Sequence, residues 1–297
     1  MYLLDNLLPV PRTSGFAMAG YFVWCGSIIK VGTTYQLFAS RWPESTGFPD
    51  GYRDYSEIVR AEAACPEGPY TFQEVVISKR DGDYWDSKMA HNPSIVRHGN
   101  TFVLYYIGSA KSSSLRTVGY ATAASITGPW TRCDVPMALS RDANNPAPLV
   151  ETNGNITLAY RDDHLHMGIA KANRYDADYC TVNGDIIPHA RLEDPFLYYR
   201  DGAYHIICED NEGTLTGHVR WGVHLTSPNA VDWTTGDPLI AYDHTITWDD
   251  GETIQLERRE RPQLLFDAAG NITHLVTGAL YRGKSWCLIQ PISSRKS

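Results

Sequence analysis

Apolar residues along this chain fall into short alternating runs, and no stretch of useful length carries a helical period. Cys25-Gly-Ser-Ile-Ile-Lys-Val-Gly-Thr-Thr-Tyr-Gln-Leu-Phe reads as a strand, a glycine turn and a returning strand. Four further stretches lie over it, beginning at His91-Asn-Pro-Ser-Ile-Val, Asn144-Asn-Pro-Ala-Pro-Leu-Val, Glu193-Asp-Pro-Phe-Leu-Tyr-Tyr and Glu260-Arg-Pro-Gln-Leu-Leu-Phe. Alternation with a period of two is the mark of a half-buried strand. Each turn carries a glycine, which supplies the positive φ that tight hairpins need.

Gly26, Pro93, Pro146, Pro195 and Pro262 fall at the corresponding position of each unit, the first counted from Trp24, at spacings of 67, 53, 49 and 67 residues. Repeats of this size correspond to propeller blades of four strands each. Third strands are readable in Thr117-Val-Gly-Tyr-Ala-Thr-Ala and Arg220-Trp-Gly-Val-His-Leu-Thr. Fourth strands follow Gly68-Pro69-Tyr70, Gly128-Pro129-Trp130 and Val231-Asp232-Trp233. The fifth unit runs out one strand short at Trp286-Cys-Leu-Ile-Gln-Pro, so residues before Tyr21 are expected to close the ring. The prediction is an all-β fold, a five-bladed β-propeller of four-stranded antiparallel blades around a central axis, with residues 1–297 as one domain. Five matching hairpins without a linker-like break favour this over two packed β domains.

Composition narrows the class. The net charge of −8 disfavours nucleic acid, whose phosphates need a basic face. No apolar run reaches the length of a membrane span. Asp5 interrupts the apolar N-terminal stretch and no basic segment precedes it, so the expected location is cytoplasmic, or periplasmic or secreted if a leader has been removed. The six cysteines include no Cys-x-x-Cys pair, and they are expected to be mostly buried free thiols. Aromatic residues are plentiful, with 18 Tyr and 8 Trp, which suits both an all-β core and a sugar-binding cleft.

In a propeller the first strand of every blade is innermost, so its entrance faces a shared central depression. The five entrances deliver Trp24 and Cys25, His91 and Asn92, Asn144 and Asn145, Glu193 and Asp194, and Glu260 and Arg261. Carboxylates delivered to one central site suit cleavage of a glycosidic bond, which takes two of them. Asp86, just ahead of blade two, is a third candidate carboxylate, with Trp85 beside it as a possible sugar platform. His91 is placed to bond a substrate hydroxyl or assist proton transfer. Arg161 ends the second strand of blade three beside Asp162, Asp163 and His164, a run read as a solvated loop. Glu257-Arg258-Arg259-Glu260-Arg261 reads equally well as a rim ion-pair network or as part of a site. No metal or other cofactor is expected.

The motif Glu193-Asp194-Pro195-Phe196 followed by a hairpin resembles the Glu-x-Pro of five-bladed propeller glycoside hydrolases. These are the arabinanase and xylosidase group of families 43 and 62, the fructan-cleaving families 32 and 68, and related families. His91-Asn92-Pro93-Ser94-Ile95-Val96 is similar to their Asp-Pro-Ser-Val repeat, and Gly128-Pro129-Trp130-Thr131 to their Gly-Pro-Trp strand. The resemblance covers all five units. It implies that Glu193 is the general acid protonating the leaving oxygen, a role that needs the carboxyl protonated. It also exposes two departures. The first-blade slot, an aspartate base or nucleophile in family 43, holds Cys25. The third-blade aspartate is replaced by Asn145.

The resulting expectation is a glycosidase acting on a plant, algal or microbial oligosaccharide or polysaccharide. Glu193 is the acid, Glu260 or Asp86 the second carboxylate, and inversion the expected outcome. His91, Asn92, Asn145, Arg161, Asp194, Arg261, Trp24 and Trp85 are the substrate-binding candidates. The competing readings are a non-catalytic carbohydrate-binding propeller and a phosphate-dependent phosphorylase. The last arises because Arg258, Arg259 and Arg261 suit phosphate, as in the related mannoside phosphorylases, or an anionic sugar. Specificity is expected in loops 42–55 and 237–252.

Overall fold

The computed structural model describes residues 3–293; residues 1–2 and 294–297 lie outside it. Five antiparallel blades stand around one axis, as the repeat predicts. Residues 21–77, 89–132, 144–183 and 192–242 each form a four-stranded sheet in simple chain order. Blade five has three strands, Arg258–Phe266, Ile272–Tyr281 and Lys284–Pro291. Its outer edge is covered by the N-terminal segment. Phe16 and Cys287 exchange backbone hydrogen bonds of 3.0 and 2.9 Å, and Leu7 bridges Ile292. The N-terminus thus closes the ring, through separate bridges and not as a continuous strand.

The first strands, Tyr21–Val31, Met89–His98, Asn144–Val150, Leu192–Arg200 and Arg258–Phe266, contact one another in sequence around the axis. The hydrophobic core lies between blade faces. Phe38, Ile58 and Ile77 of blade one pack against Ile95 and Leu104 of blade two, and Leu197 and Ile206 of blade four pack against Ala159 and Ile169 of blade three. Fully burying one such side chain contributes about 1.5–3 kcal/mol, so each blade is held mainly by its neighbours. Helix is confined to short turns such as Tyr52–Tyr55.

Three expectations need correction. Cys25, Cys208 and Cys287 are buried free thiols, but Cys65 and Cys180 are exposed and Cys133 is half-buried. Residues 245–255 form a small extra hairpin that packs on the N-terminal segment, where Arg12 pairs with Asp250 and Val10 bridges Trp248. Loop 237–252 therefore supplies no wall of the central pocket. Asp86 does not line the central pocket; it is fully buried where Arg80, Arg132 and the Tyr106 hydroxyl take its oxygens. Trp85 beside it is seated on the tyrosine ring of Tyr106, 5.0 Å between centroids. A Cβ at Gly108 or Gly119 would lie 2.7 or 2.2 Å from the Trp85 ring, so this seat exists because both positions are glycine.

Candidate active site

The same local distortion occurs at all five strand entrances. Cys25, Asn92, Asn145, Asp194 and Arg261 have φ of 62°, 53°, 55°, 57° and 56°. Each begins a bulge in which two residues of the first strand face one on the second, and the pairing register shifts there in every blade. A bulge re-aims a side chain. Here it turns two successive residues toward the axis where strand alternation would allow one. Asn and Asp tolerate left-handed backbone, whereas Cys25 and Arg261 hold it at a cost of about 1–3 kcal/mol each.

The second residues of the five pairs make the pocket floor. Cys25 Sγ donates to Asn92 Oδ1 at 2.8 Å, the Asn92 amide donates to Asn145 Oδ1, and Asn145 Nδ2 donates to Asp194 Oδ1 at 2.6 Å. Arg261 Nη1 lies 3.6 Å from the same Asp194 oxygen. The first residues, Trp24, His91, Asn144, Glu193 and Glu260, rise from this floor as the wall of a 340 Å³ pocket. Loop 42–55 completes it with Trp42, Phe48 and Tyr52, which pack on Trp24 and His91.

The two wall glutamates are differently held. Glu193 Oε1 accepts from Arg161 Nη2 at 2.6 Å, and its Oε2 accepts from Asn211 Nδ2 at 2.8 Å. Its ionic partner is therefore an arginine of blade three. Glu260 Oε1 accepts from both Arg220 Nη1 and Arg258 Nη1 at 2.9 Å, and burial pushes its pKa up. Glu260 itself is buried in the pocket wall, and its two arginine partners are partly exposed to the pocket. Arg259 takes no part. Alternation along the strand sends it into blade five, where it donates to Asp243 O, Thr277 Oγ1 and Gln290 Oε1. Burial lowers even its guanidinium to about 10.

Burial pushes Asp194 up to about 7 despite Arg261 beside it. Burial also drives His91 well below the usual imidazole range, so it is neutral. His91 Nδ1 is bonded to Ser56 Oγ at 2.8 Å and the ring stacks on Tyr52 at 4.5 Å. A neutral, doubly anchored ring suits orientation of a ligand hydroxyl better than proton transfer.

Three residues escaped the repeat pattern. Glu209, fully buried in the second strand of blade four, sits directly opposite Glu193 in the register. Its Oε1 accepts from Arg220 Nη1 at 2.9 Å and from Asn211 Nδ2 at 3.4 Å. Arg220 and Asn211 are the donors that reach Glu260 and Glu193, so one buried carboxylate ties both wall glutamates together. Burial, with Glu260 and Asp194 close by, raises Glu209 well above the glutamate range. The available signal was strand pairing: Glu193 and Glu209 are placed symmetrically about the Asp201-Gly202 turn.

Asp194, Glu209 and Glu260 bring one oxygen each to within 4.8 Å of one another, a set able to hold a cation. Arg220 already lies between Glu209 and Glu260 and Arg261 beside Asp194, so arginine supplies the compensating charge there.

No protein-family model and no curated protein matches this sequence. Solved structures do. A protein described as a glycoside hydrolase superposes with a TM-score of 0.74 at 14% identity, over 98% of this chain and 95% of its own. A family-43 enzyme from Xanthomonas citri, solved with xylotriose, gives 0.70 at 14% identity, over 96% and 91%. A family-117 glycoside hydrolase of the marine bacterium Zobellia galactanivorans gives 0.67 at 14%, over 96% and 88%. This chain has the fold of the five-bladed propeller glycoside hydrolases.

On that propeller, Glu193, Glu260, Asp194, His91, Asn92, Asn145, Arg161, Arg261 and Trp24 all line the central pocket, whereas Asp86 and Trp85 do not. Cys25 lies in the floor just beneath it, and burial raises its thiol well above the ordinary range, so it is neutral.

Proposed function

We propose that this propeller is a glycoside hydrolase whose reacting carboxylates are Glu193 and Glu260. One observation carries the proposal: corresponding bulge positions of adjacent blades set these two glutamates on one charged wall, with Trp24, Trp42, Phe48 and Tyr52 lining the same pocket. Two carboxylates facing a flat apolar surface suit a sugar ring held for attack at its anomeric carbon.

Glu193 acts as the acid that protonates the leaving oxygen. Glu260 acts as the second carboxylate, held for that role by Arg220 and Arg258. In the base role Glu260 must be ionised. Since burial raises its pKa, activity is lost as pH falls through a midpoint above the usual glutamate range. The likeness to arabinanase-type motifs supports inversion, in which Glu260 is the base that activates the attacking water. Asp194 and Asn145 position Glu193 from the floor, and Glu209 positions both glutamates through Asn211 and Arg220.

The test is turnover on a panel of plant and algal oligosaccharides, whose leaving oxygens need a proton, with Glu193→Gln and Glu260→Gln beside the parent. Loss of about 10²–10⁴-fold in kcat in each variant is the expected result. Proton NMR of the first-formed anomer reads inversion or retention. Full activity in Glu193→Gln would remove the assignment. Binding without turnover on the whole panel would favour a carbohydrate-binding propeller.

A further inference from the structure

The pocket is rich in arginine although the chain is acidic. Six arginines line it against three carboxylates, Glu193, Asp194 and Glu260, in a protein of net charge −8. Asp142 and Glu209, just behind the wall, and Asp50, which pairs with Arg53, bring the carboxylates to six. Arg261 is the most unusual of the six. It is 7% exposed and stands in the floor at a left-handed backbone position that an arginine adopts only at a cost. Among the described residues its Nη1 is buried without a hydrogen-bond partner, the Asp194 oxygen at 3.6 Å being an ion-pair contact beyond hydrogen-bond reach. In the floor the cation stands beside Asp194 of blade four. Arg258 and Arg220 flank it on the wall. Both are about 30% exposed, and among the described residues each guanidinium bonds carboxylate through Nη1.

A buried, unpaired donor is costly unless a ligand satisfies it, and a guanidinium fork matches an oxyanion best. We propose that Arg261, flanked by Arg258 and Arg220, receives an oxyanion of the ligand, either the carboxylate of a uronate-type sugar or a free phosphate. The proposal rests on the central pocket being the sugar site and adds the charge of what it takes. The floor position that would carry a carboxylate in a family-43 layout holds the neutral thiol of Cys25, which removes one negative charge from the floor that Arg261 shares.

Calorimetric titration of the whole protein tests this. The ligands are galacturonate, glucuronate, galactose, glucose and inorganic phosphate, and the proteins are the parent, Arg261→Lys, Arg261→Met and Arg258→Met. The parent is expected to bind at least one uronate or phosphate about tenfold or more tightly than either neutral sugar. Arg261→Met is expected to lose that margin, Arg261→Lys to keep part of it, and Arg258→Met, at a half-exposed position, to weaken it several-fold. Uronate binding above phosphate assigns a sugar carboxylate, and phosphate binding alone assigns a free anion. Neutral sugars bound as tightly as uronates with no phosphate binding, or anion binding unchanged in both Arg261→Met and Arg258→Met, overturns the proposal. Binding is read without turnover, so a chain that binds the anion but cleaves no glycoside contradicts the hydrolase reading alone.

Discussion

The two halves of the pocket share one backbone device and differ in chemistry. Blades one to three present Trp24, Cys25, His91, Asn92, Asn144 and Asn145, all neutral at the bulge. Blades four and five present Glu193, Asp194, Glu260 and Arg261, all ionisable. The φ angles of the five floor residues fall within 53–62°, so the propeller delivers a side chain to the axis in the same way whatever the residue. The fold thus fixes where chemistry is placed, and the residue at each position decides what it is. Here the pocket carboxylates are concentrated on one side, and the other side presents aromatic and amide groups together with Arg53, Arg116 and Arg161.

The largest expected effect breaks the charged half: Glu193→Gln and Glu260→Gln each lower kcat by about 10²–10⁴-fold with the fold intact by circular dichroism. Next comes the link between the two glutamates. Glu209→Met, which removes the acceptor shared by Arg220 and Asn211, is expected to lower kcat about tenfold to a hundredfold with a smaller change in KM. Glu209→Gln, which keeps an acceptor oxygen, restores most of the loss. A purely structural role for Glu209 would instead lower thermal stability in both variants and leave their kinetics alike.

Asp86 provides the contrast outside the pocket. Its carboxylate is fully buried against two arginines and a tyrosine hydroxyl, so Asp86→Ala leaves those donors unpaired and costs about 3–5 kcal/mol in denaturant unfolding. The kcat of the folded fraction is expected to be unchanged.

The smallest effect separates the ionisable floor from the neutral one. Asp194 is pushed up to about 7 in the folded protein, above its ordinary value of 3.8. The folded state therefore holds this proton more tightly than the unfolded chain. Stability contributed by the neutral form is present at low pH and is lost as pH rises from about 4 to about 7. Asp194→Asn removes that dependence, so its melting temperature gains on the parent across this window. Parallel pH profiles for the two proteins would show that Asp194 is ionised throughout.

The architecture was legible because each blade is built locally. Turn glycines, period-two alternation and the Gly-Pro pairs before fourth strands are short-range signals, and their recurrence gives the blade count. The entrance residues were legible for the same reason, and Glu193, Glu260, Asp194 and Arg261 fall on the pocket where the repeat places them. What failed was long-range. Asp86 precedes a strand in sequence, but two glycines in neighbouring strands open a seat for Trp85, and the pair does not line the pocket. Arg259 was grouped with Arg258 and Arg261 although alternation alone sends it to the opposite face. Glu209, Asn211 and Arg220 lie outside the repeated motif, and only strand pairing and a loop return bring them to the glutamates.

The most direct measurement is kcat of the parent, Glu193→Gln and Glu260→Gln side by side on the best substrate from the glycoside panel. The account predicts that both substitutions abolish turnover to about the same degree while sugar binding persists. Undiminished turnover in either variant would contradict the assignment of these two glutamates as the reacting pair.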